Sequence, residues 1–182
     1  MVLCTRLLAA LTAVFVFAAF APPPAPSTPS QQLYMLKQLS PSLTKVGLIW
    51  DGPMDDGDLK RAQRAASSHG VELLLAQVEG VRDVGPAYRE LVRTHGIEAL
   101  WVLTDDGLTA REPSRGFVLR EAARTGIPVL GPSASWVEAG AALAVLEGDD
   151  GIRLVVNRPV AEALSLHVPE QYTAVTDFLA SR

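Results

Sequence analysis

Ile127-Pro128-Val129-Leu130-Gly131-Pro132-Ser133-Ala134-Ser135-Trp136-Val137-Glu138-Ala139-Gly140-Ala141 joins a buried strand, a loop of small hydroxyl side chains and a helix start. Ile127, Val129 and Leu130 form a short apolar run suited to a parallel strand covered on both faces. The turn through Gly131, Pro132 and Ser133 then keeps side chains small and backbone amides accessible. A loop at the carboxyl end of such a strand is where open α/β sheets hold ligands.

The neighbouring sequence repeats this grammar. His69-Gly70-Val71, His95-Gly96-Ile97 and Thr125-Gly126-Ile127 each end a helix, place Gly at a left-handed cap and start a strand with a β-branched residue. Strands are expected at 45–50, 71–78, 97–103 and 127–130. Between them, Asp55-Asp56 can cap a helix over 57–69, Asp83 can cap one carrying Pro86 in its first turn, and Pro113 opens a third. Leu33, Leu36 and Leu39 mark a short helix before the first strand. The alternation predicts a single-lobe, three-layer α/β domain of the Rossmann-like or flavodoxin-like kind, with a mainly parallel sheet and right-handed crossovers. Past Trp136 the apolar runs 141–146 and 152–156 are separated only by Glu147-Gly148-Asp149-Asp150-Gly151, which predicts an antiparallel hairpin at the sheet edge. A short helix over 159–166 and an amphipathic segment with Tyr172, Val175 and Phe178 complete the chain.

Composition narrows the function. The 182 residues carry a net charge of −4 with both signs interspersed, so no basic stripe is available for a nucleic-acid backbone. Cys4 is the only cysteine, which excludes an internal disulfide, a cysteine metal cluster and a thiol enzyme from the domain. Arg6 followed by an apolar run to Ala21 has the regions of a secretory signal, at about 15 residues short of the roughly 20 that span a bilayer. Residues 1–21 are therefore read as a cleaved signal or an uncleaved N-terminal anchor, and both place the protein in the periplasm or cell envelope. Residues 22–32 read as a proline-rich linker, with 22–30 as an extended spacer unable to form helix or sheet. Residues 33–182 form the domain.

Four stretches resemble the second lobe of the ABC-transporter substrate-binding proteins, of the type I periplasmic-binding-protein-like class. Lys45-Val46-Gly47-Leu48-Ile49-Trp50 resembles the strand that opens that lobe, and Ala99-Leu100-Trp101-Val102-Leu103-Thr104-Asp105-Asp106 its central strand and polar loop. Residues 126–141 resemble its Gly-Ile-Pro-Val strand, serine loop and helix ending in Glu-Ala-Gly. Residues 154–169, from Leu154-Val155-Val156-Asn157-Arg158-Pro159 to Val168-Pro169, resemble its closing strand and helix. Only the proline spacer and one short helix lie between the N-terminal signal or anchor and Lys45, so the resemblance implies one lobe without its companion. Ligand burial in such proteins comes largely from the cleft between lobes, and a solitary lobe should bind weakly unless a partner supplies the other wall.

The resemblance implies ligand contacts at the carboxyl ends of strands one, three and four: Trp50, Asp51, Thr104, Asp105, Asp106, Ser133, Ser135 and Trp136. The tryptophans can offer flat apolar walls, the aspartates accept from amines or hydroxyls, and the serines hold a carboxylate near a helix start. Each also has a plain structural use, as cap, turn or core residue.

Catalysis is not expected. His69 and His95 end helices, at the opposite edge of the sheet from Ser133, and His167 has no partner at metal-ligand spacing. Gly-x-Ser-x-Gly, Gly-x-Gly-x-x-Gly and Gly-x-x-x-x-Gly-Lys motifs are missing. The Asp55-Asp56-Gly57-Asp58 run lacks the calcium-loop order and reads as a cap. No cofactor or metal is expected. The chain reads as a non-enzymatic exported binding protein whose partners are a small solute, a membrane permease or envelope protein, or a second copy of itself. The alternative is an envelope interaction or assembly module that keeps the fold and has lost ligand capture.

Overall fold

The computed structural model describes residues 25–148 and 151–180. The expected signal or anchor at 1–21 lies outside them, and among the described residues no helix is long and apolar enough to cross a membrane. The elements run α1 (Pro29–Leu39), β1 (Lys45–Trp50), α2 (Gly57–Ser68), β2 (Glu72–Gln77), α3 (Val81–Arg93), β3 (Ala99–Trp101), α4 (Ser114–Thr125), β4 (Val129–Gly131), α5 (Ala134–Glu138), β5 (Leu143–Gly148), β6 (Gly151–Asn157), α6 (Arg158–Ala163), a 3₁₀ turn (Glu170–Val175) and β7 (Thr176–Leu179). One seven-stranded sheet has the order β2-β1-β3-β4-β5-β6-β7. Strands β1 to β5 are parallel, β5 and β6 antiparallel, and β6 and β7 parallel. The α/β three-layer fold read from the sequence is the fold observed.

Alternation along the strands builds two cores. Val46, Ala99, Trp101, Leu130, Leu143 and Val145 face the helices α1, α2 and α6, while Ile49, Leu100, Val102 and Val129 face α3 and α4. The αβ junctions work as their glycines suggest: Gly70, Gly96 and Gly126 all have positive φ, which a side chain would strain.

Four expectations need correction. The β5–β6 hairpin is not the sheet edge, because β7 pairs with β6 outside it. Thr176–Leu179 is only four residues long with no apolar–polar alternation, and it pairs in parallel along the open edge of β6. Asp83 is not the N-cap of α3; Gly80 is, and Asp83 reaches back from the third position to accept from the Gly80 amide at 2.9 Å. Strands β3 and β4 are three residues each, shorter than their apolar runs, since burial extends beyond the pairing ladder.

The fourth correction concerns the proline-rich stretch. Thr28-Pro29-Ser30-Gln31 is a capping box with Pro in the first turn, so Pro29 and Ser30 begin α1 instead of extending a spacer. Ahead of it the chain lies along β5. The Ser27 amide donates to the Val145 carbonyl at 3.1 Å, the Glu147 amide to Ala25 at 2.9 Å, and Pro26 bridges to Leu146. β4 ends at Gly131, which leaves the carboxyl half of β5 unpaired on that side for residues 25–27 to occupy.

Candidate ligand-binding site

Three loops leave the carboxyl edge of the sheet and are tied to each other by two aspartates. Asp51, after β1, accepts from the Leu108 amide at 2.7 Å and so holds the loop that follows β3. Asp105, in that loop, accepts from the Trp136 indole at 2.8 Å and the Ser133 hydroxyl at 3.3 Å, and so holds the β4–α5 turn. Ser133 and Ser135 share a hydrogen bond of 3.0 Å. The β4–α5 turn is tight: a Cβ on Gly131 would come within 2.5 Å of the Trp136 Cβ.

The sequence-derived site residues therefore separate by role. Asp105, Ser133, Ser135 and Trp136 are brought together, and Asp51 joins them through the loop backbone. Trp136 is fully buried, so it cannot present the flat wall expected of it; its indole braces the loop through Asp105. Trp50 is likewise buried, lies against Gly52, and donates to the Pro53 carbonyl at 3.1 Å. Asp106 and Ser135 are both exposed. Thr104 lines a cleft of about 350 Å³.

That cleft has residues which sequence reading did not select. The first turn of α1 supplies Thr28 and Gln32, α2 supplies Asp58 and Arg61 as an ion pair, the end of β5 supplies Glu147, and Leu103 gives an apolar patch. A buried chain of hydrogen bonds sets its back wall. The Trp101 indole donates to Gln32 Oε1 at 2.6 Å, Gln32 Nε2 donates to the Ser27 carbonyl at 2.8 Å, and the Ser27 hydroxyl donates to the Val145 carbonyl at 2.9 Å. The capping box at Thr28 was the signal that could have placed α1 here. The Asp58–Arg61 ion pair, the Glu147 carboxylate and the Thr104 hydroxyl around one cleft suit a small polar or zwitterionic molecule.

Solved structures with this architecture include a conserved domain protein of Vibrio cholerae (TM-score 0.70, 19% identity, covering 84% of this chain and 60% of that one). CD0873 of Clostridium difficile, a substrate binding protein with adhesive properties in its open ligand-free form, matches at TM-score 0.68 and 18% identity over 86% of this chain and 61% of that one. The chain shares its fold with substrate-binding proteins. An ABC domain from Streptococcus pneumonia in complex with L-Trp matches at TM-score 0.70 and 16% identity, over 83% of this chain and 61% of that one. The chain thus spans about three fifths of the length of the structures it matches. No protein-family profile and no curated relative matches its sequence.

The histidines sit away from the serine loop. His69 Nε2 lies 2.9 Å from the Ser30 hydroxyl and His95 Nε2 3.9 Å from Glu90, whereas Ser133 is bonded to Asp105 and Ser135. Among the described residues, no group of three or more His, Cys, Asp or Glu side chains could hold a metal ion. In the Asp55–Asp58 run, Asp56 accepts from the Asp58 amide at 2.6 Å as the N-cap of α2.

Proposed function

We propose that this is an exported, non-enzymatic binding protein that takes a small polar solute at the carboxyl edge of its sheet. The observation that carries the reading is the cleft beside Thr104, where the braced loop after β3, the first turn of α1 and the Asp58–Arg61 pair meet. Thr104 is the loop residue that lines this cleft, with Arg61 and Glu147 complementing a ligand's charges; Asp106, Ser133 and Ser135, which do not line it, are proposed as further contacts from the loops. Asp51, Asp105, Trp50 and Trp136 position those loops. An N-terminal signal or anchor would carry the protein to the periplasm or envelope, where a permease or a second copy would close the open side of the cleft. The fold shared with substrate-binding proteins supports the binding role.

The internal use of Asp51, Asp105 and Trp136 favours one other reading, an envelope interaction module with rigid loops and no solute. Thermal denaturation against metabolite pools separates the two. A solute at about 100 times its Kd adds about 2.7 kcal/mol, or roughly 5–10 °C in a chain of this size. Thr104→Val and Arg61→Ala should each remove that shift. The solute reading fails if no pool moves the transition, or if a shift survives both substitutions.

A further inference from the structure

On the other face of the sheet, α3 and α4 begin side by side and leave a second cleft, of about 390 Å³, between their first turns. Its lining combines an apolar floor (Val81, Val84, Pro86, Pro113 and Phe117) with Arg82, Arg89 and Arg120. None of these arginines is in an ion pair among the described residues. The nearby carboxylates are already engaged: Asp83 accepts from the Gly80 amide, Glu112 from Arg115 at 3.0 Å, and Glu121 from Arg124 at 2.7 Å. The Arg89 guanidinium lies 5.6 Å from the centre of the Phe117 ring, and Gly85 allows α3 to approach that ring, since a Cβ there would stand 3.3 Å from it.

The lining also contains Ser114, which is only 3% exposed and whose hydroxyl has no hydrogen-bond partner among the described residues. A buried hydroxyl left unpaired is destabilising and uncommon, and it becomes satisfied if a ligand supplies an acceptor. Both helices are long enough for a polarised N-terminus, and their N-cap positions hold Gly80 and Pro113, neither of which caps with a side chain.

We propose that this cleft binds a phosphate monoester carried on an apolar group. A phosphate monoester carries about −1.5 to −2 charges near neutrality, which suits three unpaired guanidinium groups better than a single carboxylate does. Arginine forks also match phosphate oxygens with paired N–H donors. The Ser114 hydroxyl donates to a phosphate oxygen and the apolar group rests on Phe117. The ester is either a free small molecule or a lipid headgroup of the phosphatidic acid kind. None of the side chains of the carboxyl-edge solute site takes part.

The test uses the full-length protein titrated with phenyl phosphate, and with phenylacetate for comparison, by calorimetry at low and moderate salt. Phenyl phosphate should bind saturably and at least tenfold more tightly than phenylacetate. The Arg82→Gln/Arg120→Gln double variant should lose at least tenfold in affinity. Ser114→Ala should lose about tenfold while raising the melting temperature of the free protein by about 2–4 °C, a pairing that a purely structural serine would not give. Co-sedimentation with vesicles of phosphatidylcholine, with and without phosphatidic acid, distinguishes the sources: binding confined to phosphatidic acid vesicles and lost in the arginine variant assigns a lipid headgroup, and binding of phenyl phosphate alone assigns a free ester. The proposal is overturned if neither phenyl phosphate nor phosphatidic acid vesicles bind saturably, if phenylacetate binds as well as phenyl phosphate, or if the arginine and serine variants bind like the parent.

Discussion

The two faces of the sheet treat buried polar groups in opposite ways. Under α1 the Trp101 indole, the Gln32 amide and the Ser27 hydroxyl are all inside the protein, and each has a partner: Trp101 donates to Gln32, Gln32 to the Ser27 carbonyl, and the Ser27 hydroxyl to the Val145 carbonyl. At the start of α4 the Ser114 hydroxyl is just as deep and has no partner among the described residues. A satisfied network fixes the position of an element, in this case the first turn of α1 against β5. An unsatisfied buried group carries a desolvation cost that a partner atom would relieve. The contrast separates a cleft whose back wall is satisfied from within the protein from one whose lining includes an unpaired hydroxyl.

Substitutions can break that contrast, beginning with the paired side. Trp101→Ala removes a fully buried aromatic and leaves Gln32 Oε1 without its donor, and should cost about 3–5 kcal/mol in chemical denaturation. Gln32→Leu keeps the volume but orphans the Trp101 N–H, and should cost about 1–3 kcal/mol. Thr28→Ala removes the capping hydroxyl of α1 and should cost about 1 kcal/mol, with the loss concentrated in hydrogen exchange of the first turn of that helix. If these three leave stability unchanged, the network does not hold α1 and the contrast between the faces disappears.

The smallest effect lies at the amino edge, which carries no proposed ligand. Glu98 accepts from the backbone amides of Thr44 and Lys45, and these bonds, the Thr44 amide first, hold its carboxyl below the ordinary glutamate value. Its folded form therefore favours the carboxylate. The stabilisation is fully present above the ordinary value of about 4.3 and is lost as pH falls through the lower folded value. Unfolding followed between about pH 5 and 3 should show a slightly shallower decline in Glu98→Gln than in the parent; because Glu98 is exposed, the difference should be small.

The fold could be read from the sequence because its signals are local and repeated. The helix–Gly–strand junctions at Gly70, Gly96 and Gly126 fixed the alternation, and the apolar runs fixed the parallel sheet. β7 was missed because Thr176–Leu179 has a weak pattern and owes its pairing to β6. The start of α1 was missed for a different reason. Pro26 and Pro29 suggested a spacer, yet a proline in the first turn is compatible with a helix when a capping box precedes it. Of the site, Thr104, Asp105, Ser133 and Ser135 were visible as loop residues after strands. Gln32, Arg61 and Glu147 lie far apart in sequence and meet only through the packing of α1, α2 and β5, so no local motif records them. The same is true of Arg82, Arg89, Arg120 and Ser114, which come from two helices.

The chain has three tryptophans, and two of them report on the carboxyl edge from inside it: the Trp101 N–H bonds to the cleft wall at Gln32, and the Trp136 N–H to the loop carboxylate at Asp105. Their indole signals in nitrogen-edited NMR spectra, recorded while metabolite pools and then the active solute are added, test the binding role most directly. Saturable movement of the Trp101 or Trp136 indole signals, with the amides of Gly85 and Gly116 on the α3–α4 face unmoved, is the predicted result. Indole signals that stay in place against every pool, or a solute that moves only the α3–α4 amides, would contradict the assignment of the carboxyl edge as the solute site.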